Sequence, residues 1–395
     1  MWIFIKPVDT VCCRDGRPFG LGENVSAKTL FPPMPSTFYG AIRSAILAEN
    51  NKSFKDFHKQ KHPYPDLAEV GTTSELGTLK ISGPWLAKKN ESLESFEHFF
   101  PSPVNLAQDK EDESVLYKLI PEKDSLMLNS FSDLKIPLLA IQGPENKIVK
   151  SIGGYLNISG AGKMLMRDDE IPEKNKDYCS SEKLYKMSWQ VGLKRTFKAR
   201  TAEEGHLYSI GHYRMSSKTD ESSGFMIKVQ DADNLPKQGM LRLGGESRAA
   251  IYEKVSWVPF QDHDFNQIVD LIVEKQRFFL WLLTPAIPER NFLPFSVNPP
   301  EMSLAMKGLK VKLTACQLGT KEVIGGFKFG QYSGGASKAS FRAVPSGSVY
   351  FFEIEEKTDK NAIDKFVRTQ MFDTLDCQIK DMANQGFGTT LIGGY

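Results

Sequence analysis

Apolar and polar positions alternate most plainly in the second half of the chain, where GFMIKVQ at 224–230 and LKVKLTA at 309–315 read as strands with two unlike faces. FFLWLL at 278–283 is apolar throughout yet far too short to span a bilayer, so it reads as a buried strand. KMSWQVGLKR, GHLYSIGHYRM, MLRLGG, GSVYFFEIEE and the closing GFGTTLIGGY add further strand candidates, most of them separated by turn residues. In the first half, WIFIKPVD at 2–9 predicts an opening strand. PPMPSTFYGAIRSAILAEN predicts a helix beginning near Ser36 as N-cap, with Ile42, Ala45 and Ile46 on its core face. Helices are also expected over 264–276 and 361–383. Residues 50–75 read as polar and irregular, and 104–135 mix charge without a clear period.

Many strands and few helices in this order favour antiparallel sheet over a doubly wound fold. The expected class is α+β, as two ferredoxin-like (RRM-like, split β-α-β) domains with large loop insertions, divided as 1–185 and 186–395. A chain of 395 residues has room for two cores.

Charge changes this picture only locally. Lys and Arg number 50 against 48 Asp and Glu, a net charge of +2, which excludes a uniformly basic nucleic-acid binder. LKRTFKAR at 193–200 nevertheless carries Lys194, Arg195, Lys198 and Arg200 with no acid, while 109–114 and 168–177 are acid-rich, so one basic face is expected. The five cysteines and six histidines are scattered without a Cys-x-x-Cys pair, which gives neither a disulfide framework nor a zinc site. No cofactor or metal is expected. Strand-like sequence directly after Met1 predicts no secretory leader, and with it a cytoplasmic, membrane-free protein.

Candidate chemistry gathers in glycine-rich, cation-bearing loops. CCRDGRPFGLG at 12–22 holds Arg14 and Arg17 about Gly16 and Gly20; RLGGESRAA at 242–250 holds Gly244, Gly245 and Arg248; IGGFKFGQYSGGASKASFR at 324–342 holds Lys328 and Lys338. Glycine lets a backbone approach phosphate, and Lys or Arg neutralises it, although the same composition also suits ordinary turns. Neither a P-loop nor a Gly-x-Gly-x-x-Gly after a strand is present, so nucleotide hydrolysis and dinucleotide binding have no support. KRTFKARTAEEGHLY interleaves cations with Phe197 and Tyr208, a pattern suited to tracking and stacking single-stranded RNA or, equally, to a hairpin made basic for solubility. His206 and Tyr208 near Lys194 or Lys198 would be the groups of a metal-independent endoribonuclease. Nothing like Gly-x-Ser-x-Gly, HExxH or an activated cysteine supports catalysis otherwise.

Taken in order, RDGRPFG (14–20), PPMPSTFYGAIRSAI (32–46), VGLKRTFKARTAEEGHLY (191–208), RLGGESR (242–248), RAVPSGSVYFF (342–352) and GFGTTLIGG (386–394) resemble one family from end to end: subunit three of the Cmr-type (type III-B) CRISPR effector complex, among the five-group Cas (RAMP) proteins. Ser247 departs from the paired arginines usual after the Gly-Gly-acid motif, and Phe327 from the usual Trp. The resemblance implies two ferredoxin-like domains without catalysis. It also implies a grip on the repeat-derived 5′ tag of the guide crRNA, beside the large polymerase-like subunit and the first backbone subunit, with no small-molecule substrate. The RNA-binding residues expected are Arg14, Arg17, Gly20, Lys163, Arg195, Lys198, Arg200, Gly244, Gly245, Arg248, Lys328 and Lys338; the resemblance implies Arg14 and Arg17 as holding tag phosphates or a partner surface, and LKRTFKAR as part of a projecting thumb hairpin.

Overall fold

The computed structural model describes residues 1–14, 26–27, 29–59, 62–128, 137–142, 144, 147–167, 169–196, 201–256, 258–289, 292–293, 295–297, 301–328, 336–376, 378–379 and 381–395; residues 122–128, 137–142, 202–206, 327–328 and 336–337 are described by backbone alone. The main elements are β1 (Trp2–Pro7), β2 (Thr10–Val11), β3 (Ser26–Ala27), α1 (Pro35–Glu49), β4 (Lys80–Asn90), β5 (Ser95–Pro101), β6 (Tyr155–Asn157), α2 (Ile158–Met166), β7 (Tyr178–Cys179), β8 (Tyr185–Arg195), β9 (Ala202–Met215) and β10 (Glu221–Gln230). They continue with β11 (Gln238–Arg242), β12 (Ala249–Val255), α3 (Asp262–Lys275), β13 (Arg277–Leu282), β14 (Ser303–Met306), β15 (Leu309–Gln317), β16 (Val349–Ile354), α4 (Lys360–Gln370) and β17 (Thr390–Gly394).

Strand alternation decides the layers. In β1, Ile3 and Ile5 face one core and Phe4 the other; in β10, Phe225, Ile227 and Val229 oppose Met226 in the same way. Both strands are therefore central, in an antiparallel eight-stranded sheet of order β7-β6-β5-β4-β10-β1-β12-β11. On one face lies α1, whose Phe38, Ile42 and Ile46 pack with Ile3, Phe225 and Tyr252. On the other, Phe4, Trp85, Phe100 and Met226 share a core with Met164 of α2, Ile268 and Ile272 of α3, and the strand FFLWLL. That strand lies in a second antiparallel sheet of order β14-β15-β16-β13-β17, with Phe279 opposite Phe351 on one side and Gly393 on the other.

Within each sheet, four strands taken in chain order lie side by side as 4-1-3-2. In the first, α1 carries the chain from β1 to β4 across β10; in the second, α4 carries it from β16 to β17 across β13. The fold is mixed α+β with antiparallel sheets, as the strand spacing predicts. The first sheet draws its strands from 2–255 and the second from 277–394, so the chain passes between sheets at 256–276 and not at 185/186. The expected division falls where a hairpin, β8 and β9, interrupts the first sheet.

Three helix boundaries differ from expectation for local reasons. α1 is capped by the Met34 backbone with Pro35 in its first turn, where proline's fixed φ and missing N–H are harmless, so Ser36 lies inside it. α3 begins at Asp262 because Gln261 and Asp264 form a capping box. α4 stops at Gln370, well short of 383: Phe372 takes φ 56° and its N–H donates to Thr390 O, tying the chain to β17. Among the described residues, no helix is long and apolar enough to cross a membrane.

An imidazole, that of His98, is buried beside this core, next to Trp85 and Phe100. Trp85 Nε1 donates to His98 Nδ1 at 2.7 Å, and burial holds the imidazole pKa down to about 3 from 6.5. A folded pKa below the unfolded one means that the unfolded chain takes up the proton first as pH falls. Stability is thus intact above about 6.5 and lost progressively towards 3. Urea titrations at pH 7 and pH 5 should differ by about 2 kcal/mol, and His98→Gln should remove most of the difference; an unchanged pH dependence in the variant would contradict this assignment.

Candidate nucleic-acid interface

The hairpin β8–β9 pairs Lys186 with Arg214, Ser188 with His212, Gln190 with Ile210 and Gly192 with Tyr208 on one face. The other face pairs Met187 with Tyr213, Trp189 with Gly211, Val191 with Ser209 and Leu193 with Leu207. Since strand side chains alternate, the hairpin has a polar, cation-bearing side and an apolar side, on which Trp189, Val191 and Leu193 are exposed. Gly192 is required here because a Cβ would overlap the Tyr208 ring, which lies across it. The base of the hairpin is anchored by antiparallel pairing with β2 and parallel pairing with β3, and the Thr29 hydroxyl donates to Gly211 O.

Against the polar side sits the loop 243–248. Gly244 takes φ +78°, and a Cβ there would overlap the Cys12 carbonyl oxygen and lie 2.8 Å from Cys13 Sγ. The Gly245 N–H donates to Cys12 O at 2.6 Å. These glycines serve a close approach, as their spacing suggests, but what approaches is the N-terminal loop of the same chain. Glu246 and Ser247 follow, each at φ 53°, and turn the loop back so that Leu243 N donates to Arg248 O at 2.8 Å.

Arg248 is the node that joins the three segments. Its Nη1 donates to Asp9 Oδ2 at 3.2 Å, and its Nη2 to Gln190 Oε1 at 3.0 Å and Glu246 Oε2 at 3.1 Å. Arg214 Nη2 donates to the other Asp9 oxygen at 3.2 Å and is 68 % exposed, against 23 % for Arg248. Arg248 is thus largely a positioning residue, and Arg214 is the cation presented to solvent. His212 is buried, with Nδ1 3.2 Å from Thr10 Oγ1 and Nε2 3.5 Å from Glu246 Oε2. Burial lowers its pKa, with the Glu246 carboxylate opposing. Burial also raises the Cys12 thiol and pushes Cys13 up to about 12, so neither is an activated nucleophile.

Of the predicted residues, Arg14, Gly244, Gly245 and Arg248 are brought together: Arg14 bridges Thr29 by backbone and lies within electrostatic reach of the Cys12 thiol. Arg195 is exposed at the far end of β8, opposite Ala202. Lys338 is exposed and donates its N–H to Gly326 O at 2.7 Å, and Lys328 pairs through its backbone with Ala336, its side chain being outside the description. Arg17, Gly20, Lys198 and Arg200 lie outside the described residues, as does the side chain of His206.

Lys163 is in a different setting. It sits on α2, which packs against β17, and its Nζ donates to Asp177 Oδ2 at 2.8 Å and Glu173 Oε1 at 2.9 Å. The Asp177 side chain is fully buried, so this ammonium is committed to an internal charge and holds 173–177 to the helix. Lys163→Ala should cost about 1–3 kcal/mol in urea denaturation while leaving RNA retention as it was; a variant that is stable but impaired in RNA retention would reverse this placement.

Asp9, Gln190, His212 and Arg214 also belong to this site, although no motif in the sequence marks them. Their only local signal is the even spacing of 186, 188, 190 and 212, 214 along the two strands of the hairpin, and their partners are far away in sequence, Asp9 lying 205 positions from Arg214. Among the described residues, no group of three or more His, Cys, Asp or Glu could hold a metal ion.

The sequence profile of one family, CRISPR-associated protein (Cas_Cmr3), matches residues 3–394. The chain belongs to this family. The end-to-end resemblance in the short motifs therefore reflects membership, and both arms of the interface, 9–14 and 243–248, lie inside the matched span. Among solved structures, the chain is similar to a subunit of a "Type III-B Cmr-beta bound to cognate target RNA", with 13% identity, a TM-score of 0.48, and coverage of 89% of this chain and 86% of that one. A second structure, of the same assembly bound to target RNA and AMPPnP, gives 13% identity, a TM-score of 0.46 and the same coverage. No curated protein matches the chain by sequence.

Proposed function

We propose that this protein is a non-catalytic, crRNA-binding subunit of a type III-B effector complex. It grips the repeat-derived 5′ tag of the guide at the base of the complex and bridges the large polymerase-like subunit to the backbone subunits. We read its two sheets as ferredoxin-like units on the strength of their shared 4-1-3-2 order. The observation that carries the RNA reading is the convergence of the N-terminal loop, the loop 243–248 and the hairpin on one cation-bearing surface, with Arg14, Lys186 and Arg214 on the segments that the Arg248 node joins. Phosphate contacts of this kind fix the path and register of a strand, while sequence discrimination of the target falls to base pairing with the guide.

The site supports binding over cleavage. The buried His212 imidazole has no solvent access, and the two neighbouring cysteines are held as thiols. The test is incubation of the purified chain with repeat RNA in EDTA, reading retention and cleavage together. Retention of intact RNA is expected; cleavage abolished by His206→Ala would establish the ribonuclease instead, and failure to retain any RNA, alone or with partner subunits, would leave a protein-binding assembly piece.

A further inference from the structure

We propose that Asp9 stands, in the RNA-free chain, where a backbone phosphate sits in the bound one, so that RNA takes the site by displacing an internal carboxylate. This inference rests on the RNA-binding reading above and adds a mode of regulation to the same site. Asp9 divides its two oxygens between two arginines on different segments, Oδ1 taking Arg214 Nη2 and Oδ2 taking Arg248 Nη1, each at 3.2 Å. A phosphate oxygen pair offers guanidinium groups the same acceptor chemistry as a carboxylate.

The exchange is easy in the direction required. Asp9 is 50 % exposed and Arg214 68 %, so water already solvates that pair, and such exposed pairs contribute little. Arg248 keeps Gln190 and Glu246 as acceptors when Asp9 leaves, so no buried charge is stripped. Asp9 itself lies in the turn between β1 and β2, next to Val8, whose N–H donates to Ala249 O at 3.0 Å. The carboxylate can therefore swing into solvent while the turn stays docked. A single inorganic anion gains too little to compete with a tethered carboxylate. A polynucleotide, which meets Arg14 and the hairpin cations at the same time, gains enough. The consequence is selectivity for a continuous strand over isolated phosphates.

The test compares wild type, Asp9→Asn and Asp9→Ser for binding to fluorescent single-stranded repeat RNA over a salt series, with Arg214→Gln alone and combined with Asp9→Asn. Both Asp9 variants should bind about three- to tenfold more tightly at low salt. The slope of log affinity against log salt should steepen by about 0.7–1.4, as for one or two additional phosphates on a single strand. In the Arg214→Gln background the gain from Asp9→Asn should be smaller than in wild type, keeping only the part that acts through Arg248, because the carboxylate divides between the two arginines. If the folded Asp9 variants bind no more tightly while Arg214→Gln still weakens wild type, the displacement mechanism is wrong and the RNA reading stands. If no form of the chain holds RNA, both are wrong.

Discussion

Replacing Gly244 by valine is expected to destabilise the protein by about 2–4 kcal/mol and to remove most of its hold on RNA. Two costs combine. At φ +78° a β-branched residue is strained whatever the space around it, and a Cβ at this point meets the Cys12 carbonyl oxygen and the Cys13 sulfur. The chain can relieve the overlap only by parting 12–14 from 243–248, which breaks the 2.6 Å bond from Gly245 N–H to Cys12 O and separates Arg14 from the Arg248 node. Gly245→Ala is the control. A methyl there lies 3.3 Å from the same oxygen, so the loss should stay below about 1 kcal/mol. Denaturant midpoints and filter retention of repeat RNA measure both effects; equal losses in the two variants would mean that docking of the N-terminal loop does not organise the site.

Arg248→Glu should lower RNA affinity by at least about thirtyfold and stability by about 1–3 kcal/mol. The guanidinium now satisfies Asp9, Gln190 and Glu246 together, and the substitution puts a third carboxylate among acids that have lost their donor. By contrast, Arg214→Glu changes a side chain that is mostly in solvent. It should weaken RNA binding about tenfold with little change in stability and with strong salt dependence. The pair of variants separates organisation of the cleft from direct phosphate contact. Comparable stability losses in both would refute the different roles assigned to the two arginines.

How much of this was readable beforehand depended on how local the cause was. The strand FFLWLL follows from its short unbroken apolar run, the alternation in LKVKLTA and the core face of α1 from periods of two and 3.6 residues, and all three stand in the fold as expected. α2 was not legible, because ISGAGKMLM carries two glycines, which are poor helix formers in a helix interior. It forms because Asn157 caps Gly160 N–H and because small residues let it pack closely, Gly160 against Asp177 and Gly393 against Leu165. The return of the chain was not legible either: after the long hairpin between β7 and β10, β10 pairs with β1 and β4, which lie far away in sequence.

In the interface, the glycines were legible as points of close approach, but the approaching partner was not. Whether Gly244 admits a phosphate or the Cys12 carbonyl depends on a contact between residues more than two hundred positions apart. The same holds for Arg248, read as a phosphate ligand and found bound by three acceptors, and for Arg214, which only the register of the hairpin places beside Asp9.

Whether the three segments meet on RNA is tested by photo-crosslinking of the protein to 5′-tag RNA, in the purified chain and in the assembled complex, with the crosslinked peptides mapped by mass spectrometry. Crosslinks are expected on 9–14, on 243–248 and on the polar side of the hairpin at 186–194 and 208–214. Crosslinks confined to other surfaces, such as α2 with Lys163 or the outer strand Gln238–Arg242, with those three segments unlabelled, would contradict that convergence.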